Sequence, residues 1–229
     1  QLPPVGPGAI LRDLLACDAL VPRVALTRIF RTGTALEAGD DDGPRRNDAS
    51  DVARAARAVH RGVLPAALYR SSLCEGDAAP DGVALVECDA ADGKAVRDAV
   101  VDAVRSLGER GYDPRRDVQV LAPMKRGPAG TEALNAALQD LLNPSTVPND
   151  FGADAPKAAA RSGDRVMQLQ NDYDIGVFNG DVGVVDDANR NGSFVARFAT
   201  GGGGDARVMY APRDVGEAVS LAYALTVHK

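Results

Sequence analysis

The sequence predicts an α/β protein in which a parallel sheet with flanking helices is joined to a small inserted antiparallel β-barrel. Between residues 83 and 142, short apolar runs alternate with helical patterns, which is typical of βαβ units. Between residues 163 and 212, four or five short strand patterns are separated by turn signals, which is typical of a small barrel. A stretch rich in Pro, Asp and Ala, Asn143–Ser162, separates the two parts.

The composition is that of an ordinary globular protein, with 229 residues, 45% hydrophobic and 25% charged. Aromatic residues make up only 4%, so Ala, Val and Leu must fill the cores. The net charge of −6 argues against a protein that coats nucleic acid by charge alone, although basic residues along one groove remain compatible with it. No apolar run approaches the roughly 18 residues that a membrane helix needs.

The three cysteines show no CxxC spacing, which favours a reducing compartment over a disulfide framework or a zinc site. No signal peptide is visible, but the chain does not begin with Met. We therefore expect a cytoplasmic protein if the source is bacterial, and an organellar location is the alternative for a eukaryotic source. We expect no metal site, since the Asp40–Asp42 run has the character of a solvated loop and His60 has no second histidine nearby.

The first third of the chain predicts short elements around a flexible insertion. A loop leads into a short helix at Ala9–Leu15, and Arg23–Ile29 is a strand candidate that ends near Arg31. Thr32–Ser50 is rich in Gly, Asp and Arg without periodicity, which predicts a flexible insertion. Asp51–Gly62 has the apolar spacing of a helix.

Two strand–helix pairs follow. Val83–Cys88 predicts a buried strand, and Lys94–Leu107 predicts an amphipathic helix. Asp117–Ala122 predicts the next strand. Pro128–Leu142 predicts the next helix, and we expect its apolar positions to form the buried stripe: Leu134, Leu138, Leu141 and Leu142.

The predicted barrel begins with apolar residues around Val166–Leu169, and the tight-turn dipeptide Asn179-Gly180 precedes a second strand at Val182–Val185. Two further strands are predicted at Ser193–Ala199 and Ala206–Tyr210. The aromatic residues here have two uses, stacking on single-stranded bases or packing in the core. We expect core packing for Phe178, Phe194 and Phe198.

Two clusters have the chemistry for phosphate contacts. Lys125 and Arg126 lie in MKRGPAG, between a predicted strand and a helix start whose free N–H groups would favour an anion. An exposed basic turn explains the same residues equally well. Near the other end of the sequence, Thr226, His228 and Lys229 bring hydroxyl, imidazole and ammonium groups to a strand end, which suits contacts with a nucleic-acid backbone.

Several segments resemble, in order, those of RecD-like DNA helicases of superfamily 1, the exodeoxyribonuclease V alpha type. The segments are QLPPVGPGAILRDLL, LTRIFRT, DVQVLAPMKRGPAG, GDRVMQLQNDYDIGVFNGDVGVV and LAYALTVHK. The resemblance implies a RecA-like second motor domain with an inserted Src-homology-type barrel. The implied division is residues 1–20 for the end of the first motor domain, 21–150 for the second, 151–213 for the barrel and 214–229 for the return.

The resemblance also implies roles for individual residues. Gln1 would sense the terminal phosphate of ATP, and Arg31 would be the arginine finger that stabilises charge during phosphoryl transfer. Thr226 and His228 would lie beside a single strand of DNA. The usual glutamine after the arginine is Thr32 here, which places the local contacts in doubt. The implied activity is ATP- and Mg²⁺-dependent movement along single-stranded DNA, 5′-to-3′, in repair or recombination.

The phosphate-binding motif GxxxxGK[ST] is missing from the sequence, and Gly93-Lys94 is followed by Ala at an ordinary helix start. The Walker B acid and the last arginine motif of the family are missing too. We therefore expect that the chain alone does not hydrolyse ATP. The alternative hypotheses are a non-catalytic nucleic-acid- or protein-binding module, and an unrelated doubly wound enzyme whose catalytic pair we do not find.

Overall fold

The computed structural model describes residues 8–17, 22, 24, 56, 58–63, 69–70, 84–89, 91–145, 160–201 and 203–226. The chain divides into two compact units, Gln1–Leu68 with Pro80–Ala84, and Tyr69–Ala79 with Leu85–Lys229. Three predicted site residues, Gln1, Arg31 and His228, lie outside the described residues, as do the predicted strand Arg23–Ile29 (apart from Val24) and the insertion Thr32–Ser50.

The first unit contains the predicted short helix, α1, at Ile10–Ala16. None of its residues is buried, and Ile10 is 76% exposed. Of the predicted helix Asp51–Gly62, the structure describes helical residues at Ala56 and 58–60. Gly62 ends this helix with a φ of 77°, a left-handed conformation that favours glycine.

Among the described residues, the second unit has two pairs of parallel strands and two helices beside them, which confirms the predicted α/β class with parallel strands. β1 and β2 pair with each other, and β3 pairs with β9, the last of the described strands. The elements are β1 Tyr69–Arg70, β2 Leu85–Val86, α2 Gly93–Glu109, β3 Val120–Ala122, α3 Thr131–Leu142 and β9 Ala224–Thr226. No helix among the described ranges is long and apolar enough to cross a membrane.

The helix α3 begins at Thr131, later than the predicted Pro128, because the residues before it form a turn. Gly127 has a φ of 98°, and the N–H of Gly130 donates to the Gly127 carbonyl at 3.0 Å. Leu134 and Leu138 are buried as predicted, whereas Leu141 and Leu142 are only half-buried. The remaining buried positions of the helix are polar: Thr131, Asn135 and Gln139.

The predicted barrel strands form one five-stranded antiparallel sheet in the order β7-β6-β5-β4-β8. The strands are β4 Arg165–Gln168, β5 Val182–Ala188, β6 Phe194–Ala199, β7 Asp205–Tyr210 and β8 Val219–Leu221. Alternate residues of β6 face the core, where Phe194, Ala196 and Phe198 are almost fully buried. Tyr210 packs against Phe194 with ring centroids 5.2 Å apart.

The antiparallel sheet extends past residue 213, where the sequence predicts the return to the motor domain. Val219–Leu221 pairs with β4, with Val166 opposite Leu221. Ala222 and Tyr223 then cross directly to β9, which pairs with β3. The chain therefore passes from the antiparallel sheet to the parallel pair within two buried residues.

Candidate nucleic-acid interface

The paired strands β3 and β9 end at the same edge, because they run parallel with Ala122 opposite Thr226. Lys125 follows β3 on an exposed loop. Lys125 and Thr226 line the same groove, whose volume is about 460 Å³. The groove thus brings together two residues that the sequence predicts as phosphate ligands. These residues are more than ninety positions apart along the chain.

The groove lies between α3, the β9 end and the antiparallel sheet, and all three contribute residues to it. Glu132 and Asn135 come from α3, and the carboxylate of Glu132 is exposed. The other lining residues are mainly apolar or neutral: Thr131, Met167, Leu169, Asn179, Val215, Gly216, Ser220, Leu221, Ala224 and Leu225. Arg126, also a predicted ligand, is exposed on the loop beside Lys125 but does not line the groove.

The start of α3 is not the open anion site that the sequence predicts. The N–H of Thr131 donates to the Met124 carbonyl at 3.0 Å, and that of Glu132 donates to the Lys125 carbonyl at 3.1 Å. The tight turn at Gly127 folds these carbonyls back onto the helix end, so they take the N–H groups that would otherwise bind a phosphate. An anion in this groove would depend on the Lys125 ammonium and the Thr226 hydroxyl instead.

Asn135 fixes the first residue of β9 from the buried face of α3. Its Nδ2 donates to the carbonyls of Leu221 at 3.2 Å and Ala224 at 3.0 Å, and its Oδ1 accepts the Ala224 N–H at 2.8 Å. Asn135 is 8% exposed. These bonds satisfy backbone groups that would be costly to bury without a partner, and they place the strand that ends at Thr226.

Asp164 joins the same helix to the start of the antiparallel sheet. Its fully buried carboxylate accepts hydrogen bonds from Gln139 Nε2 at 2.5 Å, Asn143 Nδ2 at 2.7 Å and the Arg161 N–H at 2.7 Å. It also accepts from the Tyr223 hydroxyl at 2.8 Å. Four donors compensate the loss of water around a buried charge.

The Tyr223 hydroxyl remains a donor over the whole physiological range. Burial raises the pKa of Tyr223 well above its ordinary value, and the negative charge of Asp164 raises it further. The Tyr223 phenol therefore keeps the proton that it donates to Asp164 near neutral pH.

Sequence reasoning missed this polar face of α3. Its members, Thr131, Asn135, Gln139 and Asn143, recur at a spacing of four, which places them on one side of the helix. That spacing was a signal that could have been read. Polar positions on a helix are usually solvated, however, and the apolar stripe of Leu134 and Leu138 accounted for the core by itself.

The prediction of core packing is confirmed for two of the three phenylalanines. Phe194 and Phe198 are in the core, but the prediction for Phe178 is wrong, since its side chain is 42% exposed. Phe178 instead makes an edge contact with Tyr173, with centroids 5.7 Å apart. Both belong to the loop between β4 and β5, where Asp181 accepts the Phe178 N–H at 2.8 Å and so holds the ring outside. Further carboxylates in this loop, Asp172 and Asp174, make its surroundings unfavourable for a phosphate backbone.

The described residues show neither a cluster of metal ligands nor an uncapped helix start at Gly93-Lys94. They contain no group of three His, Cys, Asp or Glu side chains that could hold a metal ion. At Gly93-Lys94, the carboxylate of Asp92 accepts the Lys94 N–H at 2.8 Å, so a side chain already caps this helix start. A phosphate cradle would need such N–H groups free.

Comparison with known proteins gives the class of protein first. Residues 134–198 match the profile described as the SH3 domain of ATP-dependent RecD-like DNA helicases. This segment includes most of α3, the strands β4 and β5 and most of β6, so the antiparallel sheet corresponds to the SH3 domain of the RecD-like helicases.

A curated relative extends the match to most of the chain. The ATP-dependent RecD2 DNA helicase of Deinococcus radiodurans is 33% identical over 186 residues, which is 81% of this chain. The chain is thus similar to the RecD-like helicases over most of its length, which confirms the resemblance seen in its motifs. It spans about a fifth, 20%, of the length of that relative.

Solved structures of Pif1 helicases give weaker likenesses. Unliganded Pif1 from Bacteroides sp is 18% identical, with 51% of this chain and 44% of that chain covered and a TM-score of 0.28. Bacteroides Pif1 in complex with ADP-AlF3 and ssDNA is 19% identical, with coverage of 56% and 35% and a TM-score of 0.31. Since both TM-scores are low, these superpositions support no inference about this chain.

Proposed function

We propose that the chain is part of an ATP-dependent DNA helicase and holds a single strand of DNA along the edge where β3 and β9 end. The observation that carries the proposal is the convergence of Lys125 and Thr226 on one groove in a RecD-like chain. The ammonium of Lys125 and the hydroxyl of Thr226 are groups that contact phosphate oxygens. Arg126 and His228 would extend this contact along the backbone of the strand.

Such contacts position a strand without reading its sequence. Binding is therefore expected to be independent of base sequence and to weaken as salt is raised, because each neutralised phosphate releases counterions. The net charge of the chain is −6, and the exposed Glu132 also lines the groove. The electrostatic attraction between the chain and the DNA phosphates is therefore confined to a small region. A shallow salt dependence, set by one or two cations, follows from this arrangement.

The proposal includes the use of ATP with Mg²⁺, with Gln1 and Arg31 reading the γ-phosphate, and movement 5′-to-3′ in repair or recombination. This part is supported by the motif resemblance and the RecD-like relative. The printed sequence lacks the GxxxxGK[ST] motif. We therefore expect the chain alone to show no ATPase activity, and robust hydrolysis by the purified chain would contradict this expectation.

The DNA-binding role is tested by Lys125→Ala, with Lys94→Ala as the matched control, because both lysines are exposed but only Lys125 lines the groove. Affinity for an oligothymidine strand is measured by fluorescence anisotropy over a series of salt concentrations. Lys125→Ala should weaken binding and lower the slope of log affinity against log salt by about 1. Lys94→Ala should leave both unchanged. Equal behaviour of the two variants would reject the proposed groove.

A further inference from the structure

The segment Leu221–Ala224 is the connection between the antiparallel sheet and the strand that carries Thr226. All four residues are buried, with exposed fractions of 7% or less. Within the described residues, the pairing of β9 with β3 covers three residues, Ala224–Thr226 opposite Val120–Ala122. So short a pairing has few ladder bonds, and the groups that hold the beginning of β9 therefore help to determine the position of Thr226.

Side chains and backbone from separate parts of the second unit hold this segment. Asn135 binds the backbone on both sides of it, at Leu221 and Ala224. Gln119, which precedes β3, donates from Nε2 to the Tyr223 carbonyl at 3.2 Å. The Ala222 N–H donates to the Arg165 carbonyl of β4 at 2.9 Å. The backbone of the segment is thus held by hydrogen bonds both next to the parallel strands and next to the antiparallel sheet.

The side chain of Tyr223 adds an anchor of a different kind. Its hydroxyl donates to Asp164, and the same carboxylate is held by Gln139 and Asn143 from α3. Tyr223 therefore ties the start of β9 to the helix that lines the other side of the groove. Displacing this phenol would allow the strand end to shift relative to α3 and to the loop that bears Lys125.

We infer that Tyr223 is a positioning residue for nucleic-acid binding, which acts through Asp164 to place the Thr226 hydroxyl in the groove. The inference rests on the proposed function, since it concerns the same groove. Tyr223 does not itself line the groove. Its effect on binding must therefore pass through Thr226. In this respect Tyr223 differs from a residue that contacts the DNA strand directly.

The test compares Tyr223→Phe with Tyr210→Phe in the whole chain. Tyr210 is the matched control, because its buried hydroxyl also donates one hydrogen bond, to Gln168 Oε1 at 2.5 Å, within the core of the antiparallel sheet. Both variants should lose a similar amount of thermal stability. Only Tyr223→Phe should weaken binding of an oligothymidine strand, by severalfold, with the salt slope unchanged because no charge is removed.

A double-mutant cycle distinguishes the positioning role of Tyr223 from a purely structural role. In a Thr226→Val background, Tyr223→Phe should cause no further loss of affinity, since the hydroxyl that it positions is already gone. Additive losses would overturn the inference, and so would equal loss of affinity in the two tyrosine variants. If Lys125→Ala weakens binding while Tyr223→Phe does not, the positioning role fails and the groove stands. If the unaltered chain binds no oligothymidine, both proposals fail.

Discussion

A Cβ atom at Gly183 would lie 2.5 Å from the carbonyl oxygen of Arg197 on the neighbouring strand. It would also lie 2.7 Å from the ring of Phe198, which is fully buried in the core of the antiparallel sheet. Neither the strand backbone nor a ring in a closely packed core can move aside without disturbing its other contacts. The barrel therefore requires glycine at this position for reasons of space alone.

We predict that Gly183→Ala destabilises the barrel by about 1–3 kcal/mol, the usual cost of overpacking a core. Urea unfolding followed by circular dichroism measures the change. Gly201→Ala is the control, because nothing lies within 4 Å of a Cβ at that position. A Gly183→Ala variant as stable as the parent would contradict the packing described for β5 and β6.

The stability of the barrel should also fall at alkaline pH because of Tyr210. Burial, together with the negative charges of Asp172 and Asp214, raises the pKa of Tyr210 from its ordinary value of about 10 to about 12. The folded state thus holds the phenol proton more tightly than the unfolded state does. The stability from this group is complete below about pH 10 and is lost as the pH rises toward about 12.

Urea midpoints measured across this alkaline range test the prediction. Tyr210→Phe should show a smaller decline than the parent, although not a flat profile, because Tyr223 also has a raised pKa and remains in the variant. Parallel declines in the two proteins would show that Tyr210 keeps the same pKa in the folded and unfolded states.

The proposed arginine finger is tested in a longer protein that joins this chain to a motor domain with a phosphate-binding loop. Arg31→Ala should lower DNA-stimulated ATP hydrolysis by roughly three orders of magnitude, because the guanidinium stabilises charge that develops in the transition state. Affinity for single-stranded DNA should be largely retained. Arg12→Ala is the control, since Arg12 is an exposed arginine that pairs with its neighbour Asp13 at 3.5 Å. A hydrolysis rate in Arg31→Ala equal to that of the control would exclude the role.

Local sequence patterns predicted the helices and strands whose formation depends mainly on neighbouring residues. The apolar period of Lys94–Leu107 predicted the amphipathic helix α2, and the aromatic character of Phe194 and Phe198 predicted their place in the core. The apolar spacing of α3 identified Leu134 and Leu138 but could not reveal what its polar side contacts. Gln139 and Asn143 meet Asp164 from distant positions in the chain, and Tyr223 joins them from farther still. Pairings of this kind are set by the tertiary fold, which periodicity does not encode.

The candidate site likewise has some features that the sequence predicted and others that only the tertiary fold shows. The chemistry of Lys125 and Thr226 was readable from residue type and position at strand ends, and the parallel pairing of β3 with β9 brings them to one groove. The sequence left both interpretations of the start of α3 open, because only the turn at Gly127 shows that the Met124 and Lys125 carbonyls occupy its N–H groups. The exposure of Phe178 depends on its loop's hydrogen bonds, which residue type alone does not predict.

The polar face of α3 meets the chain both where it enters the antiparallel sheet, at Asp164, and where it leaves, at Ala224. The two ends of the insertion are consequently held side by side by a single helix of the host. A different module could join the parallel strands at the same two points, provided that it kept these two anchoring contacts.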